Sequence, residues 1–151
     1  MVKVAFNLFT TCLEFFFMKV KIDTKEKFTV LIPEETNIYD NMAGELAAAC
    51  QQYLQAPIKN LILKLINVQH IDGNIAQKII DLQQSFYDNS ASFLVCEMNK
   101  NVMAVFEQNN LLELLNYTPT ESEAWDIVQM EEIERELLDY NDFTFDLPDN
   151  E

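Results

Sequence analysis

The chain contains one histidine, His70, and any histidine chemistry would depend on it. Asp72 follows two residues later, and a Ser/His/Asp set of the hydrolase type would have to use this pair. The pair lies at a predicted strand-to-helix turn, and ligands of α/β proteins gather at the carboxyl ends of parallel strands. A lone histidine without a second catalytic partner is more often structural. We therefore predict that the chain is not an enzyme. An enzyme using His70 and Asp72 stays as an alternative, together with a small-ligand or lipid binder.

Asp72 has a second possible role, because it closely precedes an amphipathic helical pattern. Its side chain could accept hydrogen bonds from the free N–H groups of the first helical turn. We expect a plain helix cap at this position. The alternative is that this helix N-terminus is displayed to a partner.

The sequence lacks the residues that several other common kinds of functional site require. The two glycines, Gly44 and Gly73, cannot form a dinucleotide-binding or P-loop motif, and no Gly-x-Ser-x-Gly elbow is present. The three cysteines, Cys12, Cys50 and Cys96, form no CxxC pair, and one histidine cannot complete a zinc site of familiar spacing. We predict no cofactor and no metal site. We also expect reduced, buried thiols, which indicate a cytoplasmic location.

The net charge of −15 is unevenly distributed. Residues 121–151 contain 12 acidic residues and one basic residue, Arg135, so their net charge is 1 − 12 = −11 and residues 1–120 carry the remaining −4. A basic patch for phosphate backbones is missing from this pattern, and we predict that nucleic acid is not a partner. The acidic segment is typical of a solvated face and tail. The alternative is an electrostatic dock for a basic partner.

Residues 1–17 are apolar but too short for a membrane-spanning helix, and no small-x-small cleavage site follows them. Met18 begins a more regular pattern. We therefore interpret 1–17 as a doubtful extension that arises from the choice of start site, with a membrane-touching peptide as the alternative; a membrane partner is not expected. The predicted organisation is one domain over 18–139, followed by an acidic tail over 140–151.

Apolar periodicity predicts the strands. Residues 20–32 alternate as a β-hairpin that Pro33 ends, 61–66 form an apolar run typical of a central strand covered on both faces, and 92–98 form another buried strand. A short last strand is predicted over 114–117. Residues 67–74 are predicted to form a polar loop.

Four helices are predicted between and after these strands. The first extends from Asp40, as its cap, to about Gln55, and the second has apolar residues from Ile75 to Phe86 on one side. The third follows Asn99 as its cap and ends at Asn110, which tolerates a left-handed conformation. The fourth begins with a capping box of Thr120 and Glu123, extends to about Asp139, and has these apolar residues on one side: Ile127, Met130, Ile133 and Leu137.

Strands that alternate with helices predict an α/β fold with a mixed sheet of about four to five strands and four helices. The order is β-β-α-β-α-β-α-β-α. The opening hairpin is antiparallel, and the rest of the sheet is expected to be largely parallel.

The segment Asn60–Ala76, NLILKLINVQHIDGNIA, resembles the central motif of STAS domains, the anti-sigma factor antagonist family. That motif has an apolar strand, then a loop of the form Val-x-x-hydrophobic-Asp-Ser-Ser/Thr-Gly, and then a helix. The opening hairpin, the helix near Asp40, the strand over 92–98 and the start of the last helix are also similar. The resemblance covers about residues 18–138.

The resemblance implies a non-catalytic interaction module that takes part in partner switching. In this family an anti-sigma factor of the GHKL serine kinase type binds the antagonist and phosphorylates a loop serine, and the added charge breaks the interface. Asp72 matches the motif aspartate, whereas Gly73 lies where the serine is expected, so we predict that this loop has no phosphosite. The contact residues that the resemblance suggests are Asn41, His70, Asp72, Gly73, Asn74, Gln77 and Lys78. The alternative is a STAS-like scaffold or complex subunit that binds another partner, for example through the acidic tail.

Overall fold

The structure, a computed structural model, describes the backbone of residues 18–144 and the side chains of residues 18–138. The predicted extension over 1–17, including Cys12, and residues 145–151 of the predicted tail lie outside this part. The strands are β1 Val20–Thr24, β2 Thr29–Pro33, β3 Asn37–Ile38, β4 Leu61–Lys64, β5 His70–Ile71, β6 Phe93–Cys96 and β7 Tyr117–Thr118. The α-helices are α1 Ala43–Gln51, α2 Gly73–Asp88, α3 Lys100–Gln108 and α4 Glu121–Thr144.

In the described part of the chain, five strands form one mixed sheet in the order β1-β2-β4-β6-β7. The β1–β2 pair is antiparallel, and every other neighbouring pair in this sheet is parallel. The predicted fold class is confirmed: residues 18–144 have the antiparallel opening hairpin, the parallel core and four α-helices.

The two faces of the sheet pack against different helices. Alternate residues of β4 show this, because Leu61 and Leu63 belong to the larger core with α1, α2 and α3, whereas Ile62 belongs to a smaller core with α4. All three side chains are fully buried. The prediction of a central strand covered on both faces is therefore confirmed.

Two predicted helix boundaries are formed by asparagines. Asn99 Oδ1 accepts a hydrogen bond of 2.8 Å from the Val102 N–H and caps α3. Asn110 has a φ of 59°, the left-handed conformation expected of a helix stop. At α4, the N–H of Glu123 donates to Thr120 Oγ1 at 3.3 Å, which is the hydroxyl half of the predicted capping box.

Two predicted elements differ in detail from the structure. The helix predicted over 40–55 is divided into a 3₁₀ turn over Asp40–Met42, α1, and a second 3₁₀ turn over Gln52–Gln55. The predicted strand over 114–117 is instead Tyr117–Thr118. The residues before it, Leu112–Leu114, form a 3₁₀ turn, and the leucines on either side of this turn, Leu111 and Leu115, are buried.

The last helix differs from its prediction in length and in packing face. It reaches Thr144 instead of Asp139. Ala124 and Val128 are its fully buried contacts with the sheet, whereas Met130, Ile133 and Leu137 from the predicted apolar side are each more than half exposed.

No helix described in residues 18–144 is long and apolar enough to cross a membrane.

Candidate functional site

The predicted polar loop over 67–74 contains a short strand that the sequence pattern did not reveal. His70 and Ile71 pair in parallel with Asn37 and Ile38, in a second sheet of two strands. The backbone N–H of Asp72 extends this pairing to the carbonyl oxygen of Ile38 at 3.3 Å. Because a helical segment follows each strand within two residues, the starts of both segments lie side by side.

Asp72 joins these two starts. Its Oδ2 accepts a hydrogen bond of 2.6 Å from the backbone N–H of Asp40. Asp40 Oδ1 in turn accepts a bond of 3.0 Å from the side-chain amide of Asn74. Asp72 occupies the N-cap position of α2, but its side chain makes no capping bond there, and Asp40 is the first residue of a 3₁₀ turn. Both predicted caps are therefore wrong, since the carboxylates bond across the two starts instead of within their own helices.

His70 and Asp72 are not hydrogen-bonded to each other in this structure. His70 Nε2 lies 4.0 Å from Asp72 Oδ1, which is too far for a hydrogen bond. The His70 side chain is 54% exposed. Within residues 18–138, the His, Cys, Asp and Glu side chains form no group of three that could hold a metal ion.

Gly73 is the first residue of α2 and has no unusual backbone angle, since no glycine in the described part has a positive φ. A Cβ atom built on Gly73 would lie 3.3 Å from both Oδ1 and Nδ2 of Asn109. This amide donates to the Val105 carbonyl at 2.7 Å. A small side chain at position 73 thus meets only the end of one exposed polar side chain.

None of the residues predicted for partner contact is buried, and we call them together the loop–helix surface: Asn41, His70, Asp72, Gly73, Asn74, Gln77 and Lys78. Asn41, His70, Asn74 and Gln77 are exposed, and the other three are partly exposed. Gln77 is held by its own helix, because its amide donates to Asp81 Oδ1 at 3.0 Å.

The structure adds one residue beside this surface that the sequence reasoning missed. Tyr39 directly precedes Asp40 and is 50% exposed, although aromatic residues are usually largely buried. The signal available in the sequence was an aromatic residue just before a predicted helix start, but its exposure depends on tertiary packing.

The decisive comparison concerns the family of the chain. A family model described as "STAS domain" matches residues 19–124, which is more than half of the sequence. The chain belongs to the STAS domain family. None of the curated protein sequences matches it significantly.

Solved structures of other proteins share the STAS fold of this chain. A candidate anti-sigma factor antagonist from Thermotoga maritima is 21% identical, with a TM-score of 0.64 over 74% of this chain and 94% of that one. An anti-sigma factor antagonist from Mycobacterium paratuberculosis is 13% identical, with a TM-score of 0.65 over 76% and 96%. The murine anion transporter Slc26a9 is 12% identical, with a TM-score of 0.64 over 85% of this chain but 25% of the transporter. At these identities the likeness shows the fold alone.

Proposed function

We propose that the chain is a non-catalytic protein-interaction module that binds a partner of the anti-sigma factor and serine kinase type through the loop–helix surface. The observation that carries this proposal is the pair of hydrogen bonds from the Asp40 N–H to Asp72 and from the Asn74 amide to Asp40, here called the Asp72 bridge. It holds the starts of two helical segments side by side, and exposed polar groups lie on both. A surface held in place before binding loses less conformational entropy when a partner docks.

The proposed mode of regulation differs from phosphorylation of the loop. Residues 70–76 read HIDGNIA and contain no hydroxyl side chain. A serine kinase therefore has no acceptor group at the position that the family motif assigns to serine. We propose that binding is constitutive or is controlled through the partner. We also propose a cytoplasmic location for the chain. Cys50 and Cys96 are free and buried, as is usual for cysteines in a reducing compartment.

Binding should be measured between the purified full chain and a GHKL-type serine kinase from the same genome, with an immobilised partner. We expect the double variant N74A/Q77A to bind about tenfold more weakly or worse, because two exposed polar contacts are removed. The matched control is Q84A. Gln84 lies on the same helix and donates to Asp88 at 2.9 Å, as Gln77 donates to Asp81, but it lies about two turns beyond Gln77 and therefore about three turns from the loop. If Q84A weakened partner binding as much as N74A/Q77A does, this would argue against the loop–helix surface as the binding site.

Phosphorylation should be tested by incubation with the same kinase and ATP, followed by mass spectrometry. We expect no phosphate on residues 70–76 of the natural chain. The variant G73S should accept a phosphate there and then bind more weakly, because the phosphate adds about −1.5 to −2 charge to the interface. Phosphate on residues 70–76 of the natural chain contradicts the proposed regulation.

The alternative of a scaffold that binds through residues 140–151 predicts a different result. Deletion of residues 140–151 would abolish partner binding in that case, and N74A/Q77A would leave it unchanged. We expect the reverse pattern.

A further inference from the structure

The last helix exposes an apolar stripe on the side facing away from the sheet. Met130, Ile133 and Leu137, here called the α4 stripe, are 58%, 54% and 52% exposed. Their spacing of three and four residues aligns them along one side of the helix. The helix meets the sheet through Ala124 and Val128 instead, so the α4 stripe contributes nothing to either core.

Carboxylates surround the α4 stripe. Glu123, Asp126, Glu134 and Glu136 are all exposed, and none of them forms an ion pair with a side chain of residues 18–138. The one basic residue of the helix is turned inward, because the Arg135 guanidinium donates to Asn60 Oδ1 at 3.2 Å and to Ser92 Oγ at 3.1 Å. The outer side of α4 is therefore apolar along its centre and negative around it.

We propose that the α4 stripe docks a basic amphipathic helix of another protein. Such a helix would place its apolar side chains against Met130, Ile133 and Leu137 and its Lys or Arg side chains beside the free carboxylates, as in heterodimeric coiled coils. A second copy of this chain is disfavoured as the occupant. Two α4 helices in contact would bring Glu134 and Glu136 of both copies together, and these like charges repel each other. This site is independent of the loop–helix surface, since α4 covers the opposite face of the sheet from α2.

The test uses a fluorescent synthetic peptide of about three heptads, with Leu at the two core positions and Lys at the flanking positions. The matched peptide has Glu in place of every Lys. Fluorescence anisotropy with the full chain should show binding of the Lys peptide and none of the Glu peptide. Binding should weaken as salt is added, because the flanking pairs are exposed.

Three variants test which side chains of the protein bind the Lys peptide. M130S/I133S/L137S removes the α4 stripe and leaves every charge in place, and it should weaken binding about tenfold or more. I66S/L114S makes the same kind of change at exposed apolar residues elsewhere and should stay within about twofold. E134Q/E136Q should weaken binding and reduce its salt dependence. Circular dichroism is used to confirm that each variant is folded.

The opposite results would overturn the proposal. They are an absence of binding by the natural chain, equal binding by M130S/I133S/L137S, or self-association in sedimentation that this triple variant abolishes. Equal binding would mean attraction by charge alone, and self-association would identify a second copy as the occupant. Because the partner of the loop–helix surface is absent from this experiment, failure here leaves the proposed function intact.

Discussion

The carboxylate of Asp72 and the backbone N–H of Asp40 are joined by a hydrogen bond of 2.6 Å, although the residues are 32 positions apart in the chain. An ionised acceptor makes this bond stronger than one between neutral groups. Together with the bond from the Asn74 amide to Asp40 Oδ1, it links the β3–α1 connection to the start of α2, and the loop–helix surface is built on both segments.

We expect D72A to lower the free energy of unfolding by about 1 to 2 kcal/mol, because the Asp40 N–H loses a charged acceptor. D72N keeps an oxygen acceptor and should lose about half as much. Urea unfolding measures both changes. The control is D88A, which removes an exposed carboxylate at the other end of α2 and should change stability by less than about 0.5 kcal/mol. An equal loss in D88A would show that the Asp72 bond has no special role.

A buried amide anchors α4 to the sheet. Asn60 is 3% exposed and its side chain makes bonds to the Lys27 carbonyl, Glu132 Oε2, the Ser92 N–H and Arg135. An asparagine amide has two donors and an acceptor with two lone pairs, so its bonding capacity is filled.

N60L should therefore destabilise the protein by about 2 to 4 kcal/mol, because groups that bond to Asn60 lose their partner in a buried place. Thermal and urea unfolding would measure this loss. N67L is the matched control, since the exposed Asn67 makes one long bond of 3.4 Å to the Pro33 carbonyl. We expect N67L to cost less than about 1 kcal/mol. A small loss in N60L would mean that water replaces the lost bonds.

The ion pair between Lys64 and Glu121 gives a pH-dependent prediction. Lys64 Nζ lies 2.8 Å from Glu121 Oε1, and both side chains are largely shielded, at 21% and 20% exposure. The pKa of Lys64 is raised above its usual value, chiefly by the hydrogen bond to Glu121. A raised pKa in the folded state means that the pair stabilises the fold fully below the unfolded pKa of about 10.4 and loses this effect as the pH rises through the folded pKa.

K64M should lower the free energy of unfolding by about 1 to 2 kcal/mol at pH 7. The difference between K64M and the natural chain should shrink above about pH 10.4. Unfolding curves at neutral and strongly alkaline pH test this trend. K100M is the control at an exposed lysine and should show no such pH trend in its difference. A K64M difference that stays constant with pH would exclude a charge effect.

Two thiols are expected to resist modification. Cys50 and Cys96 are fully buried, and burial raises the pKa of each thiol to about 12. The thiolate is the reactive form, so little of either is available at pH 8. In a C12S variant, reaction with a disulfide reagent should be at least about a hundredfold slower in the folded protein than in urea. A fast phase of one thiol in the folded C12S protein would show that Cys50 or Cys96 is accessible.

The sequence by itself determined the fold class and the order in which the four helices and the strands of the main sheet follow one another, and it predicted the position of the candidate site. Apolar residues with periods of two and 3.6 mark the buried strands and the second helix, because burial on one side of a strand or helix imposes that spacing directly. The asparagine boundaries at Asn99 and Asn110 were equally readable, since a cap acts over three or four residues. The absence of a hydroxyl at Gly73 is also a property of the sequence alone.

Only the tertiary structure decided the bonding partner of Asp72 and the direction of the α4 stripe. A carboxylate before a helix has its own first turn as the nearest donors, but the parallel pairing of Asn37–Ile38 with His70–Ile71 brings the Asp40 N–H closer. Similarly, an amphipathic pattern shows that a helix has an apolar side, but it does not show which side meets the sheet. In α4 the small residues Ala124 and Val128 allow close approach to the strands, and the larger apolar side chains therefore face outward.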